Sequence, residues 1–372
     1  MTPLRVLHLA ANRWWTGSAD PTIQLVAGLR VRGHRALLAA IPGDRFEAKA
    51  KDAGVDLVTG LALSPRVAPL TLARDLACLR RIIRRESIEI IHAHHSHDHW
   101  LAVGVGLLPP HHRRPTVVRT FHNLRSVKDG PLARALHRRT AAVFAVSREI
   151  ETRCREAGFA AARVHWMPGV VDLARFDGTA DPGPVRDEFK LRDHPTIVCV
   201  SRLAANRGHE QLLSGYRHVL ARLPAARLLL VGKGESRARL EQLVAELGLG
   251  DRVIFTGYRD RDLPAVLAAA DCFALMGAGS DESCRAALEA MASARPVVAR
   301  RVGALPETVV HGETGLLLER DEPEALGRAL ADLLEDPVRA RTMGEAGRRR
   351  AREVFAPERL VSSVERAYLA LR

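Results

Sequence analysis

Gly279-Ser280-Asp281-Glu282-Ser283-Cys284-Arg285-Ala286-Ala287-Leu288-Glu289-Ala290-Met291-Ala292, followed by Ala294-Arg295-Pro296-Val297-Val298-Ala299, reads as a small-residue loop, a helix and then a strand. Asp281 and Glu289 are eight residues apart, so on a helix they fall within roughly 80° of each other and about 12 Å apart along the axis. One ligand can touch both. The start of such a helix, at Ser280 to Ser283, offers unpaired backbone N–H groups and the positive end of the helix dipole, which suits a phosphate. A loop, helix and strand with an acid at each end are therefore expected to cradle a phosphorylated ligand.

The same alternation extends in both directions. Strand-like apolar runs near 4–10, 35–41, 55–58, 88–93, 116–120, 142–146 and 163–166 are interleaved with helical patterns at about 20–32, 69–86 and 147–157. The pattern restarts with strands near 195–201, 226–231, 252–256, 271–275, 296–299 and 315–318, and helices near 207–222, 236–247, 283–293 and 322–335. This is the signature of βαβ units and parallel sheets. Pro168-Gly169 and the stretch Asp177 to Pro184 interrupt both periodicities and read as linker. A chain of 372 residues exceeds the roughly 250 to 300 at which single cores stop growing. The expectation is an α/β protein of two doubly wound, Rossmann-like domains facing each other across a cleft, residues 1–172 and 173–356, with a last helix at 357–372 packing back on the first domain.

A hydrophobic content of 47% supports a sizeable core. No apolar run approaches the roughly 20 residues of a membrane span, and Arg5 and His8 break the apolar N-terminal segment, so a cytoplasmic protein is expected. Cys78, Cys154, Cys199, Cys272 and Cys284 lack CxxC spacing, which argues for reduced, mostly buried thiols rather than disulfides or a zinc knuckle. The net charge of +13 is unevenly placed: residues 1–175 hold 27 Lys and Arg against 14 Asp and Glu, whereas 176–372 hold 29 of each. A basic first half fits either solvated arginine-rich helix faces or an anionic partner. With only 4% aromatic residues and no recognition motif, nucleic acid is not the expected partner. The cationic amphipathic stretches Leu79–Arg85 and Arg134–Arg139 fit an anionic membrane surface, where each basic residue contributes on the order of 1 kcal/mol.

Seven ordered segments of the second half resemble the retaining family 4 glycosyltransferases, enzymes of the GT-B fold. They are Val200-Ser201-Arg202-Leu203 with Arg207-Gly208, Val231-Gly232-Lys233-Gly234, Phe255-Thr256-Gly257-Tyr258, the opening Asp281–Met291 segment, Pro296–Ala299, Val302-Gly303-Ala304 with Pro306-Glu307, and Gly312–Leu316. The first half is similar more loosely, through Trp15-Thr16-Gly17-Ser18, Gly33-His34, Ile90–His94, Thr120-Phe121-His122, Val146-Ser147 and Pro168–Asp172.

The resemblance implies a nucleotide-sugar donor, UDP- or GDP-linked, held mainly by the second domain. Glu289 matches the second acid of the family's Glu-x7-Glu pair, which binds the ribose hydroxyls, and Asp281 the first, which faces the transferred sugar; Glu282 is the alternative first acid. Ser283, Cys284 and Arg285 stand where the family has Gly-Phe-Gly-Leu character and would line the sugar pocket. Arg202 and Arg207 match the Arg and Lys that clamp the diphosphate, and an arginine at 207 offers a planar fork rather than a point charge. His122 matches the histidine beneath the donor sugar, Gly17 and Ser18 the first βα loop, and Gly232, Gly257 and Tyr258 further donor contacts. The run His92-Ala93-His94-His95-Ser96-His97-Asp98-His99 invites a metal reading, but the family often has His-x-His here. A strand-end loop shaping the acceptor side is expected, with no metal site.

By the same resemblance, the β-phosphate of the leaving nucleotide takes the acceptor proton, and Arg202, Arg207 and the helix N-terminus stabilise the diphosphate without a metal or other cofactor. The expected acceptor is lipid-linked or saccharide, in cell-surface glycan synthesis at the inner face of the cytoplasmic membrane. A non-catalytic nucleotide-binding relative and a GT-B epimerase are the alternatives.

Overall fold

The computed structural model describes residues 2–12, 17–64, 68–108, 114–279, 282–320 and 322–372. It divides into two compact units: Met1–Pro168 with Ser280–Ser283 and Pro357–Arg372, and Gly169–Gly279 with Cys284–Ala356.

The first unit is built on six parallel strands, β1 (Arg5–Ala10), β2 (Arg35–Ala40), β3 (Ile90–Ala93), β4 (Thr116–Phe121), β5 (Ala142–Ala145) and β6 (Val164–Trp166), in the order β2-β1-β3-β4-β5-β6. All strand pairs are parallel, so the strands are covered on both faces and read as near-continuous apolar runs. Leu7, Leu9, Leu37, Ile91 and Val117 of the sheet pack with Leu79, Ile82 and Ile83 of the helix Pro69–Glu86. The C-terminal helix Pro357–Leu369 lies against the helix Ala19–Val31 so closely that a side chain at Gly28 would collide with Val361. Its Tyr368 hydroxyl meets His92 Nδ1 at 2.5 Å, and its Glu365 meets His34 Nε2 at 2.7 Å.

The second unit repeats the plan with β7 (Thr196–Val200), β8 (Arg227–Val231), β9 (Val253–Gly257), β10 (Cys272–Leu275), β11 (Val297–Arg300) and β12 (Gly315–Leu318), in the order β12-β11-β10-β7-β8-β9. In each sheet the strand order reverses direction once, between β1 and β3 and between β7 and β10. Open α/β sheets bind ligands beyond the carboxyl ends of the strands at such a point.

Several expectations need correction. Residues 55–58 form no strand; Leu57 makes only an isolated bridge to Leu38. Helices Arg45–Asp52, Pro131–His137 and Pro337–Val354 were not expected. The segment read as linker, Asp177 to Pro184, has no buried residue of its own; it runs between Phe176 and Val185, both buried in the second unit, and its last two residues open the helix Gly183–Glu188 behind Pro182. Its glycines and prolines are turn chemistry at the edge of a packed unit rather than signs of flexibility. The opening helix begins later than expected, at Arg285, because Cys284 adopts a left-handed conformation with φ of 53°.

Candidate functional site

In the second unit, the turn after β7 carries both arginines. Arg202 points to the surface, where its Nε and Nη2 donate to Glu235 at 3.2 and 2.9 Å. Arg207 closes a short 3-10 turn, and its backbone lies so close to Gly277 that a Cβ there would come within 2.9 Å of it. Its guanidinium covers Gly279, whose φ is +94° and where any side chain would strike it. Arg207 Nε is buried and has no hydrogen-bond partner among the described residues. Burial, and next the charge of Arg202, lower its pKa. A half-buried guanidinium with an unsatisfied Nε, just beyond the carboxyl end of β7, is suited to receive an anion.

Glycine supplies the remaining surface. Gly232, just after β8, takes φ of +152°, and a side chain there would run into the Ser201 carbonyl. Gly257 takes φ of +74° at the end of β9, and Tyr258 beside it is exposed. These positions bring bare backbone to the end of the sheet where the two arginines stand.

Across β10, the helix Arg285–Ala292 holds Glu289 almost wholly buried, 3.2 Å from the Nε of Arg285. The buried Cys284 thiol donates to the Ala278 carbonyl at 3.8 Å. A left-handed cysteine costs roughly 1 kcal/mol that glycine would not. This is the physical meaning of the glycine character that Cys284 replaces. Asp281 lies outside the described residues, as do Trp15 and Thr16.

In the first unit, the histidine run opens a helix rather than a loop: Ser96–Leu107 begins at His95, with Asp98 completing a capping box. His94 Nε2 meets His8 Nδ1 at 3.1 Å, and His94 Nδ1 meets the Thr22 hydroxyl at 3.3 Å. The same hydroxyl donates to the Ser18 carbonyl at 2.8 Å, and Ser18, next to Gly17, precedes the helix Ala19–Val31. His92 Nε2 meets the Thr120 hydroxyl at 2.7 Å. His8, His92 and His94 bring ring nitrogens within 4.8 Å of one another, but their rings lie side by side, 4.4 Å apart for His92 and His94. Their in-plane lone pairs therefore run alongside one another, and protein groups already engage both nitrogens of His92 and His94. Burial lowers the pKa of His8 to about 3 and those of His92 and His94 well below the usual histidine value.

His122 is buried after β4 and stacks 5.8 Å from His94 and 6.0 Å from His95. Its carbonyl accepts from the Glu282 N–H at 2.9 Å, and the Glu282 carboxylate accepts from the Leu124 N–H, also at 2.9 Å. His122, Arg119, Arg125, His95 and Ser126 line a cavity of about 270 Å³. Arg119 is fully buried and donates to the carbonyls of His95 and Thr120; burial lowers its pKa to about 10, opposed by Asp98. Sequence reading missed Arg119, because an arginine inside a strand carries no motif. It also missed the pairing of Glu235 with Arg202, although Glu235 directly follows the Gly232-Lys233-Gly234 turn.

Residues 185–350 match the family described as Glycosyl transferases group 1, and residues 17–175 match Glycosyltransferase Family 4. A GDP-mannose-dependent alpha-(1-6)-phosphatidylinositol monomannoside mannosyltransferase of Mycolicibacterium smegmatis is 32% identical over 354 residues, 89% of each chain. The chain belongs to the family 4 glycosyltransferases. A mannosyltransferase of the same description from Mycobacterium tuberculosis is 33% identical over 323 residues, 82% of this chain and 81% of its own. The fold matches that of Anabaena HepE, solved with UDP and glucose, at a TM-score of 0.83 and 20% identity, over 98% of this chain and 99% of that one. The family 4 glycosyltransferase described here is therefore a GT-B enzyme that transfers a glycosyl group from a nucleotide sugar. No helix among its described residues is long and apolar enough to cross a membrane.

Proposed function

We propose that this glycosyltransferase moves mannose from GDP-mannose, with retention of configuration, to a lipid-linked acceptor of the phosphatidylinositol-mannoside type. The donor and acceptor named for relatives that align with over 80% of the chain carry this reading. The site supports its chemical part. Arg207, whose Nε is unsatisfied among the described residues, and Arg202 take the diphosphate, the bare backbone at Gly232 and Gly257 lets the nucleotide approach, and Glu289 accepts from the ribose hydroxyls. Asp281 and His122 act at the transferred sugar, with Ser283, Cys284 and Tyr258 shaping the donor pocket and Gly17 and Ser18 the acceptor side. The charge that grows on the leaving diphosphate is met by the arginines and the N-terminus of the helix Arg285–Ala292, so turnover is metal-independent and survives EDTA.

The acceptor side favours an anionic membrane. Ala73, Leu76, Ala77 and Leu108 form a groove of about 850 Å³ bordered by Arg80, Arg81, Arg84 and Arg85, with Leu70 exposed farther along the same helix. Apolar floor and cationic rim fit acyl chains beneath phosphate headgroups. Thermal shift with GDP, GDP-mannose, UDP and UDP-glucose tests the donor: guanosine compounds should stabilise the chain, and stabilisation by the uridine compounds alone would overturn the assignment. Flotation with phosphatidylinositol vesicles at low salt tests the surface, and absence of binding there would remove it.

A further inference from the structure

The acid assigned to the ribose has a cationic partner one helical turn before it. Arg285 Nε lies 3.2 Å from Glu289 Oε1 with the side chains 21% and 7% exposed, so the contact is largely shielded from water. Most other ion pairs among the described residues involve a side chain at least a third exposed. The placement is electrostatically awkward. Arg285 is the first residue of its helix, where the dipole disfavours a cation, and the buried Glu289 offsets that cost. A charge kept in an unfavourable place and spent on a buried carboxylate suggests that the carboxylate needs it.

We infer that Arg285 is a positioning residue: its guanidinium keeps the Glu289 carboxylate ionised and in one rotamer, ready for the ribose hydroxyls of the donor. The inference rests on the proposed ribose role of Glu289. A carboxylate with only 5% exposure loses most of its hydration, and a nearby guanidinium preserves the charge that makes its hydrogen bonds to hydroxyls strong. Fixing the side chain before the nucleotide arrives also removes an ordering cost from binding. The position at i−4 is set by the helix, so the pair forms without any loop being held in place.

The test separates this role from contact with the phosphates and from general support of the fold. Affinities of the wild-type chain, R285M and R285K are measured by calorimetry for GDP and 2′,3′-dideoxy-GDP, and for the uridine pair if the chain binds that base. Wild type should prefer the ribonucleotide. R285M should lose about tenfold for the ribonucleotide, the worth of one charged hydrogen bond, and keep its affinity for the dideoxy form. R285K should retain part of the preference, since an ammonium preserves charge but not the fork. Equal losses for both forms, or an undiminished ribose preference in R285M, overturn the inference. A wild type that binds both forms alike overturns the ribose role of Glu289 itself. Should R285M fail to fold, R285K carries the same comparison.

Discussion

In the first sheet the strand order turns between β1 and β3, in the second between β7 and β10, and the residues on and after the strands of the two sheets are of opposite kinds. The first unit fills its end with buried polar side chains that bind one another: His8 to His94, His94 to Thr22, His92 to Thr120 and Tyr368, and Arg119 to two carbonyls. The second keeps its end open with Gly232, Gly277 and Gly279, and leaves Arg207 Nε unsatisfied. One topology thus supports two designs. A closed hydrogen-bonded network fixes side-chain positions, whereas bare backbone with an under-satisfied cation awaits a ligand to complete it.

Substitution of one arginine in each unit, Arg207 half-buried and Arg119 fully buried, gives the largest contrast. R207M should lower turnover by about 10²- to 10³-fold, the usual loss on removing a preorganised donor to developing charge, with little change in melting temperature. R119M should act on stability, by about 3 kcal/mol, because it removes a fully buried guanidinium that ties the His95 and Thr120 carbonyls together. Its nucleotide affinity should stay near that of wild type. If R119M weakened GDP binding as much as R207M while leaving urea stability intact, the division between a structural end and a ligand end would be wrong.

Acid should separate the units next. In the first unit, burial lowers the pKa of His8 to about 3 and holds those of His92, His94 and His99 well below the usual value; in the second, burial brings His209 to about 4. Each of these groups takes up a proton more readily when unfolded. Their contribution to stability is therefore intact above about pH 6.5 and is lost as pH falls from there toward the folded values, at up to about 1.4 kcal/mol per pH unit for each histidine. Asp98 opposes this, since burial raises its pKa to about 7, and its preference for the proton makes the fold less stable as pH rises from about 4 to 7. Four histidines outweigh one aspartate. Hydrogen exchange at pH 5 should show the strands of the first unit losing protection before those of the second, and the reverse order would remove the histidine network as the cause.

The second unit was more legible in the sequence than the first for the same physical reason. Sites built from glycine and backbone need particular residues at particular steps, as at Gly232, Gly257 and Gly279, and such requirements leave a spaced motif. The six strands of each sheet were legible because strands buried on both faces are short apolar runs. The helix Ser96–Leu107 was hidden because its first turn is histidine, serine and aspartate, which read as ligands or loop, while its cap, the carboxylate of Asp98, is visible only as a contact. Residues 55–58 have a strand's composition, but their backbone pairs with β2 only at Leu38, through an isolated bridge at Leu57. The ties between Arg202 and Glu235 and between His92 and Tyr368 join residues 33 and 276 positions apart, which no local pattern encodes.

The smallest expected effect concerns that first tie. Arg202 and Glu235 are each 62% exposed, so water screens their attraction and two long side chains lose freedom in meeting. E235A should leave the melting temperature unchanged within measurement. The pair does occupy the Nε and Nη2 of a guanidinium assigned to the diphosphate, so its removal frees Arg202 at no cost to the fold. GDP affinity should then change by no more than about threefold, in the direction of tighter binding. A marked weakening in E235A would show that Glu235 aims Arg202 at the phosphates, and the open end of the second unit would then contain a preorganised ion pair as well as the unsatisfied Arg207.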